Sequence, residues 1–183
     1  MARFYAIPSA MSGGVTDSKL PDIQAGFESA LVMLATVLAG ANWIRVVAGA
    51  LEYHFTASYE MLVIHDEIFG MALRIVRGME ISEDTMATSL IKTIAPTCGH
   101  YMGEKHTLGH IASERYVPKI SDKRTRGDWE KAGSKDLATV ARERARQILA
   151  THQAYPPLPK DIEKELDATK NKIEKRLAKT MSK

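Results

Sequence analysis

Apolar residues in the first half of the chain switch between two spacings. Residues 5–12 form a short, partly apolar run ended by Gly13 and Gly14, and Pro8 argues against a helix, so a buried strand is predicted. After a polar stretch, Ile23, Phe27, Ala30, Leu31, Leu34 and Leu38 recur at helical spacing, with Pro21 near the first turn, where its missing N–H costs nothing. A second strand–loop–helix unit follows directly. Residues 43–48 are β-branched and apolar, residues 49–57 read as loop, and residues 59–77 show helical spacing through Leu62, Ile68, Phe69, Leu73 and Val76. Alternation of strand and helix implies parallel strands joined by crossover helices. Both loops, residues 12–19 and 49–58, then leave the carboxyl ends of their strands, the edge where α/β folds gather ligands.

Beyond Gly78 the strand signal fades. Ser82, followed by Glu83 and Asp84, begins a predicted helix that closes near Lys92, and residues 96–105 read as loop. Further helices are predicted over residues 107–116, 125–132, 134–152 and 160–179, with a stiff proline-rich spacer at residues 156–159 before the last. In that last, highly charged helix Ile162, Leu166, Ile173 and Leu177 make a narrow apolar stripe suited to packing along a larger body or a second subunit. Two strands cannot close a (β/α) barrel, which needs eight strands and about 250 residues. Residues 2–5 read as the close of a helix, so the chain opens inside an α/β series. The organisation expected is a partial α/β barrel with helical additions over residues 1–155, then a linker and charged helix over residues 156–183.

Composition narrows the class. With 183 residues, 45% hydrophobic and 26% charged, the chain can bury one core. Its longest apolar stretch, residues 30–41, is broken by Thr36 and Gly40 and falls short of the roughly 20 residues that span a bilayer. No signal peptide is read at the start, where Arg3 and Pro8 interrupt any apolar run, and a cytoplasmic location is expected. Cys98 is the single cysteine, which excludes an intrachain disulfide and a thiolate-held metal cluster. Residues 1–103 carry 6 basic and 10 acidic residues, while residues 104–183 carry 19 and 12. The basic surplus is interleaved with acids, as in Arg142-Glu143-Arg144 and Glu163-Lys164-Glu165, which fits a solvated helix face better than a nucleic-acid footprint.

Several segments carry a family resemblance. Ser12-Gly13-Gly14-Val15-Thr16-Asp17-Ser18-Lys19, then residues 22–26 and 40–42, is similar to the glycine-rich TDSK segment and following helix of the trimethylamine methyltransferase family. The likeness continues through Leu51-Glu52, Thr56-Ala57-Ser58, Asp66-Glu67-Ile68, Arg77-Gly78-Met79-Glu80, residues 99–103 and His106-Thr107-Leu108. It persists from about residue 12 to residue 155, and Tyr53-His54-Phe55 departs from it where smaller residues follow the glutamate. The resemblance implies the carboxy-terminal part of a (β/α)8 TIM-type barrel with a helical extension. It further implies methyl transfer from trimethylamine or a quaternary amine such as glycine betaine to the reduced cobalamin of a partner corrinoid protein, with no cofactor held directly. Trimethylamine-using relatives carry pyrrolysine, and no such residue stands in this sequence. A homo-oligomer, or pairing with the remainder of a barrel, is expected. The competing reading is a non-catalytic interaction module whose barrel edge and terminal helix bind another chain. A phosphate-binding enzyme built on Gly13-Gly14 is weak, because neither a GKS/T loop nor a GxGxxG fingerprint is present.

Each candidate residue has a functional and a structural reading. Gly13 and Gly14 permit close ligand approach or simply form a turn. Thr16, Asp17 and Lys19 can hold substrate or partner, and Asp17 can equally cap the following helix. Glu52 stands at a strand end, where a carboxylate balances a methylammonium cation or makes an ordinary salt bridge. Tyr53, Phe55 and Tyr59 offer ring faces to an alkylammonium group or pack in a core. His54 and His100 are candidate contacts to substrate or corrinoid partner. Glu52 and Asp17 are thus the expected catalytic groups, and Gly13, Gly14, Thr16, Lys19, Tyr53, His54 and His100 the expected substrate-binding ones. His106 and His110 are four apart, but threonine at position 107 leaves out the glutamate of an HExxH motif, so no metal is expected.

Overall fold

The computed structural model describes residues 1–46, 48–153 and 158–181. Strand β1 (Ala10–Gly13) pairs in parallel with β2 (Trp43–Val46), Ala10 opposite Trp43 and Gly13 opposite Val46, and helix α1 (Ile23–Leu38) makes the crossover between them. The first strand starts later than predicted. The N–H groups of Tyr5, Ala6 and Ile7 donate back to the carbonyls of Met1, Arg3 and Ala2, with Ala6 left-handed at φ 52°, a Schellman-type helix end that occupies the residues before Pro8.

Asp22, rather than Asp17, caps α1: its carboxylate accepts from the Ala25 N–H at 3.0 Å and from the Ser18 hydroxyl at 2.8 Å. These two bonds, the Ala25 bond foremost, hold the Asp22 carboxyl below its ordinary pKa. The buried face of α1 is Ala25, Ser29, Met33, Thr36 and Val37, whereas Ile23, Phe27, Leu31 and Leu38 of the predicted stripe are exposed. The reason is that α1 is apolar on more than one side. Small and hydroxyl side chains fit the close contacts inside: Thr36 donates to the Ser12 carbonyl, and Ser29 meets His65.

The loop after β2 contains a small antiparallel pair, β3 (Ala50–Leu51) with β4 (Thr56–Ala57), joined by the tight turn Glu52–His54. Helix α2 (Tyr59–Arg77) has the predicted bounds, capped by Ser58, whose hydroxyl accepts from the Met61 N–H, and ended at Gly78 with φ 70°. Met61 and Ile64 join Ala25, Leu51, Ile120 and Ala141 in one buried cluster, and Met33, Val37 and Ala72 form a second.

Glu67, also buried on α2, accepts from the N–H groups of Lys119, Ile120 and Ser121 and from the Ser121 hydroxyl. Burial pushes this carboxyl up, but those donors outweigh it and the pKa stays below its ordinary value. Their effect is to fasten Ile120 into the core across a long stretch of chain.

The predicted helix after Ser82 is divided into α3 (Glu83–Met86) and α4 (Thr88–Ile94) by left-handed Ala87. It is followed by α5 (Lys105–His110), α6 (Arg126–Lys131), α7 (Leu137–Thr151) and α8 (Lys160–Met181). The stretch predicted helical over residues 107–116 thus keeps one short helix that begins earlier and ends at His110. Met1–Arg146 forms one compact unit and Gln147–Lys183 a second. Pro156 and Pro157 of the expected spacer lie outside the described residues.

The architecture is therefore a mixed α/β fragment, with few strands and many helices. Among the described residues the parallel sheet has two strands and no closed barrel is formed. None of the described helices is long and apolar enough to cross a membrane.

Candidate functional site

The parallel pairing of β1 and β2 brings the carboxyl ends of both strands to one edge. The two following loops meet there. The backbone N–H of Glu52 donates to the Ser18 carbonyl at 2.9 Å, and that of Tyr53 donates to the Thr16 carbonyl at 3.0 Å. The TDSK loop and the Glu52 turn are therefore one joined structure, as their common edge predicts.

Each loop is also fastened from behind. Thr16 is buried; its hydroxyl donates to Glu28 of α1 at 2.6 Å and accepts the Ser18 N–H, so this side chain shapes the loop from inside. The same Glu28 carboxylate accepts the Asp17 N–H at 2.9 Å and the Gln24 amide at 3.0 Å. The Thr16 hydroxyl first, then these donors, hold the Glu28 carboxyl below its ordinary pKa. With backbone and neighbour secured, the Asp17 side chain stays exposed, and exposed Lys19 donates from Nζ to the Asp17 carbonyl at 2.8 Å.

Gly13 and Gly14 are buried, and their surroundings are side chains of the chain itself. A Cβ on Gly13 would stand 2.7 Å from Met33 Cε and 2.9 Å from Ile44 Cγ2. Gly14, at φ 76°, has Phe69 ring carbons 3.2 Å from the same position. Close packing thus accounts for glycine at both places.

Behind the second loop lies His65 of α2, fully buried. The Gly49 N–H donates to its Nδ1 at 3.0 Å, so Nε2 carries the ring proton and donates to Ser29 Oγ at 2.9 Å. Burial holds its pKa down, to about 4, and the neutral ring bolts the start of the loop to both helices. Beside that attachment an apolar recess of about 370 Å³ is lined by Ala48, Gly49, Ala57, Ser58, Tyr59 and Leu62.

The turn at the front is strained. Glu52, Tyr53 and His54 have φ of 49°, 51° and 82°, three consecutive left-handed residues none of which is glycine. Each such residue costs on the order of 1–3 kcal/mol and persists only where the surroundings dictate it. Here the two bonds to the TDSK loop dictate it, with a third from Thr56, whose hydroxyl donates to Glu52 Oε2 at 2.5 Å. The outcome is an exposed aromatic rim: Tyr53 and His54 stack with centroids 5.4 Å apart and planes 5° from parallel. Tyr53 is 65% exposed, and Phe55 and Tyr59 are exposed as well, so the core-packing reading of these rings does not hold in this chain.

Of the expected site residues, Gly13, Gly14, Thr16, Asp17, Lys19, Glu52, Tyr53 and His54 belong to these joined loops. His100 stands exposed beyond Cys98, and no hydrogen bond among the described residues links it to them. Glu28, Ser29 and His65 were not singled out by sequence reasoning. Their signal was a polar residue at an inward position of an apolar helix, which becomes visible only once the inward face is known.

Comparison with known proteins adds a direct finding. Residues 1–180 match the family model described as trimethylamine methyltransferase. The chain is 39% identical over 170 residues to the glycine betaine methyltransferase of Desulfitobacterium hafniense (strain Y51), covering 92% of this chain and 34% of that protein. It is also 39% identical over 175 residues to a trimethylamine methyltransferase of Methanosarcina barkeri, with coverage of 96% and 34%. A trimethylamine methyltransferase of Desulfitobacterium hafniense (strain DSM 10664 / DCB-2) is 36% identical over 162 residues. The chain spans about a third of the length of these relatives.

Proposed function

Because the chain belongs to the trimethylamine methyltransferase family, we propose that it forms the part of a methyltransferase that holds a methylated ammonium group for transfer to a corrinoid carried by a separate protein. The observation that carries this reading is the strained turn Glu52–His54, clamped by the TDSK loop so that a carboxylate and aromatic ring faces share one exposed edge. A carboxylate offsets the positive charge of the bound amine, and ring faces attract alkylammonium groups through their quadrupole.

A reduced corrinoid supplies the attacking electron pair, and the residues of this chain bind and orient the substrate. The C–N bonding pair returns to nitrogen, so a quaternary ammonium leaves as a neutral amine without help, whereas a tertiary amine must first be protonated or otherwise activated. Betaine and trimethylamine relatives are equally similar to this chain, so the class proposed is methylated amines, with a quaternary substrate the chemically simpler choice.

The test is Glu52→Gln in an enzyme of full family length carrying this segment. The carboxylate favours the cation, and that charge diminishes as the bond breaks, so its loss should appear mainly in KM. We expect kcat/KM for methyl transfer to fall at least about tenfold, roughly 1.4 kcal/mol, with kcat less affected. Unchanged kcat/KM would leave Glu52 a structural residue of the turn.

A further inference from the structure

His106 and His110 lack a glutamate between them, but the fold brings them a carboxylate from elsewhere. They sit one turn apart on α5, their rings stacked with centroids 4.3 Å apart, and Asp84 of α3 lies beside both. One ring nitrogen from each histidine and one Asp84 carboxylate oxygen all fall within 4.8 Å of one another.

The hydrogen bonds settle which nitrogens are free. His110 Nδ1 is 2.9 Å from the His106 carbonyl oxygen, which can only accept, so Nδ1 carries the proton. Its Nε2 is then the lone-pair nitrogen, and it stands 3.1 Å from Asp84 Oδ2. Two lone pairs at that distance repel unless a cation lies between them, either a second proton on the ring or a metal ion. His106 Nε2 donates to the Asp84 backbone carbonyl at 2.8 Å and stands 4.0 Å from Asp84 Oδ1, so this ring meets the carboxylate with its N–H side, and ligation through Nε2 calls for the Nδ1–H tautomer and release of that bond.

We propose that Asp84, His106 and His110, brought together by the polar contacts that link α3 to α5, form a binding site for a divalent first-row transition cation, with zinc the best match. Two imidazoles and one carboxylate are a donor set suited to this class. The His106 backbone carbonyl that holds Nδ1 of His110, leaving Nε2 toward Asp84, is the kind of partner that orients such a ligand in metal sites. Zinc bonds of about 2.0–2.1 Å put ligand atoms roughly 3.3 Å apart. Asp84 Oδ2 already stands 3.1 Å from His110 Nε2, and the rest of the closure, from up to 4.8 Å, requires rotation of the partly exposed His106 ring out of its stack on His110.

Three protein ligands leave a fourth position. An adjoining groove of about 320 Å³ is lined by His106, Thr107, His110, Ile111, Glu114 and Arg115. Its acidic member, Glu114, is already paired with Arg74 and Arg77 at 2.8 Å each, which leaves the fourth position to water or a small ligand. The site is independent of the methyl-transfer reading, since none of its members belongs to the joined loops.

The experiment uses the full chain, stripped of metal by a chelator, titrated with Zn²⁺ by calorimetry and with Co²⁺ by visible absorption. One equivalent should bind, with the ring proton signals of His106 and His110 shifting together in the NMR spectrum. Asp84→Asn and His110→Gln should each weaken binding at least tenfold with unchanged circular dichroism, whereas His152→Gln should leave it unaltered. Absence of binding, binding that survives both variants, or zinc shifts confined to other histidines would overturn the proposal and identify the cation beside Asp84 as a proton. The NMR readout on the unaltered chain decides the matter should a variant fail to fold.

Discussion

Gly14 shows how much one backbone angle demands. At φ 76° an L side chain is strained, and a Cβ would press on the Phe69 ring at 3.2 Å, so Gly14→Ala meets both penalties. It should lower unfolding free energy by about 2 kcal/mol, read as a fall in the denaturant midpoint at constant slope. A midpoint unchanged within error would mean that the ring yields and the angle relaxes. Glu52, Tyr53 and His54 accept similar angles without glycine, and that difference separates the two loops. In the first, glycine removes strain; in the second, strain is retained where a carboxylate and ring faces are displayed. The sequence showed both segments to be unusual, but a run of non-glycine residues carries no local mark of positive φ, because their intrinsic preference is for the opposite sign.

At the scale of elements, His65 connects α2, α1 and the loop after β2 through one neutral ring. Its pKa is near 4 in the folded chain against 6.5 for the ordinary group, so the unfolded chain takes up its proton first as pH falls. The contribution is complete above about pH 6.5 and is lost progressively toward pH 4, amounting to up to roughly 3 kcal/mol. Urea unfolding at pH 7, 6, 5 and 4 checks this, and His65→Asn should flatten the slope between pH 6.5 and 5. A parallel profile in that variant would remove His65 as the source. The elements also show where periodicity sufficed. Helix α2 kept its predicted bounds because a Ser58 cap and a Gly78 stop frame a continuous pattern, whereas the helix predicted after Ser82 broke at Ala87, whose left-handed angle has no local cause in an alanine.

For the whole molecule, the apolar residues left outside matter most. Ile23, Phe27 and Leu31 of α1 are 87%, 52% and 63% exposed, and among the described residues β1 and β2 form a sheet of two strands, each with an edge outside that pairing. Exposed apolar faces and unpaired strand edges favour association. The purified chain should therefore self-associate as concentration rises, and sedimentation velocity should record an increasing mean mass. A single monomeric species across the micromolar to submillimolar range would show that the described surface is self-sufficient. This expectation agrees with relatives about three times as long, in which more chain is present to cover such faces.

The sequence by itself determined the alternation of two βα units, the shared loop edge, the bounds of α2 and the family, because each rests on neighbours along the chain or on a linear string of residues. It also marked Thr16, Asp17, Glu52 and Tyr53 as belonging together, since parallel strands force their loops to one edge. Only the tertiary structure decided which side of α1 faces inward, because an apolar helix with several greasy faces is oriented by its neighbours rather than by its own pattern. Only the tertiary structure turned Thr16 toward Glu28 and set His65 beneath Gly49. The meeting of Asp84 with His106 and His110 belongs to the same class: more than 20 residues of chain separate the carboxylate from the rings, and no local spacing rule acts across a gap closed by packing.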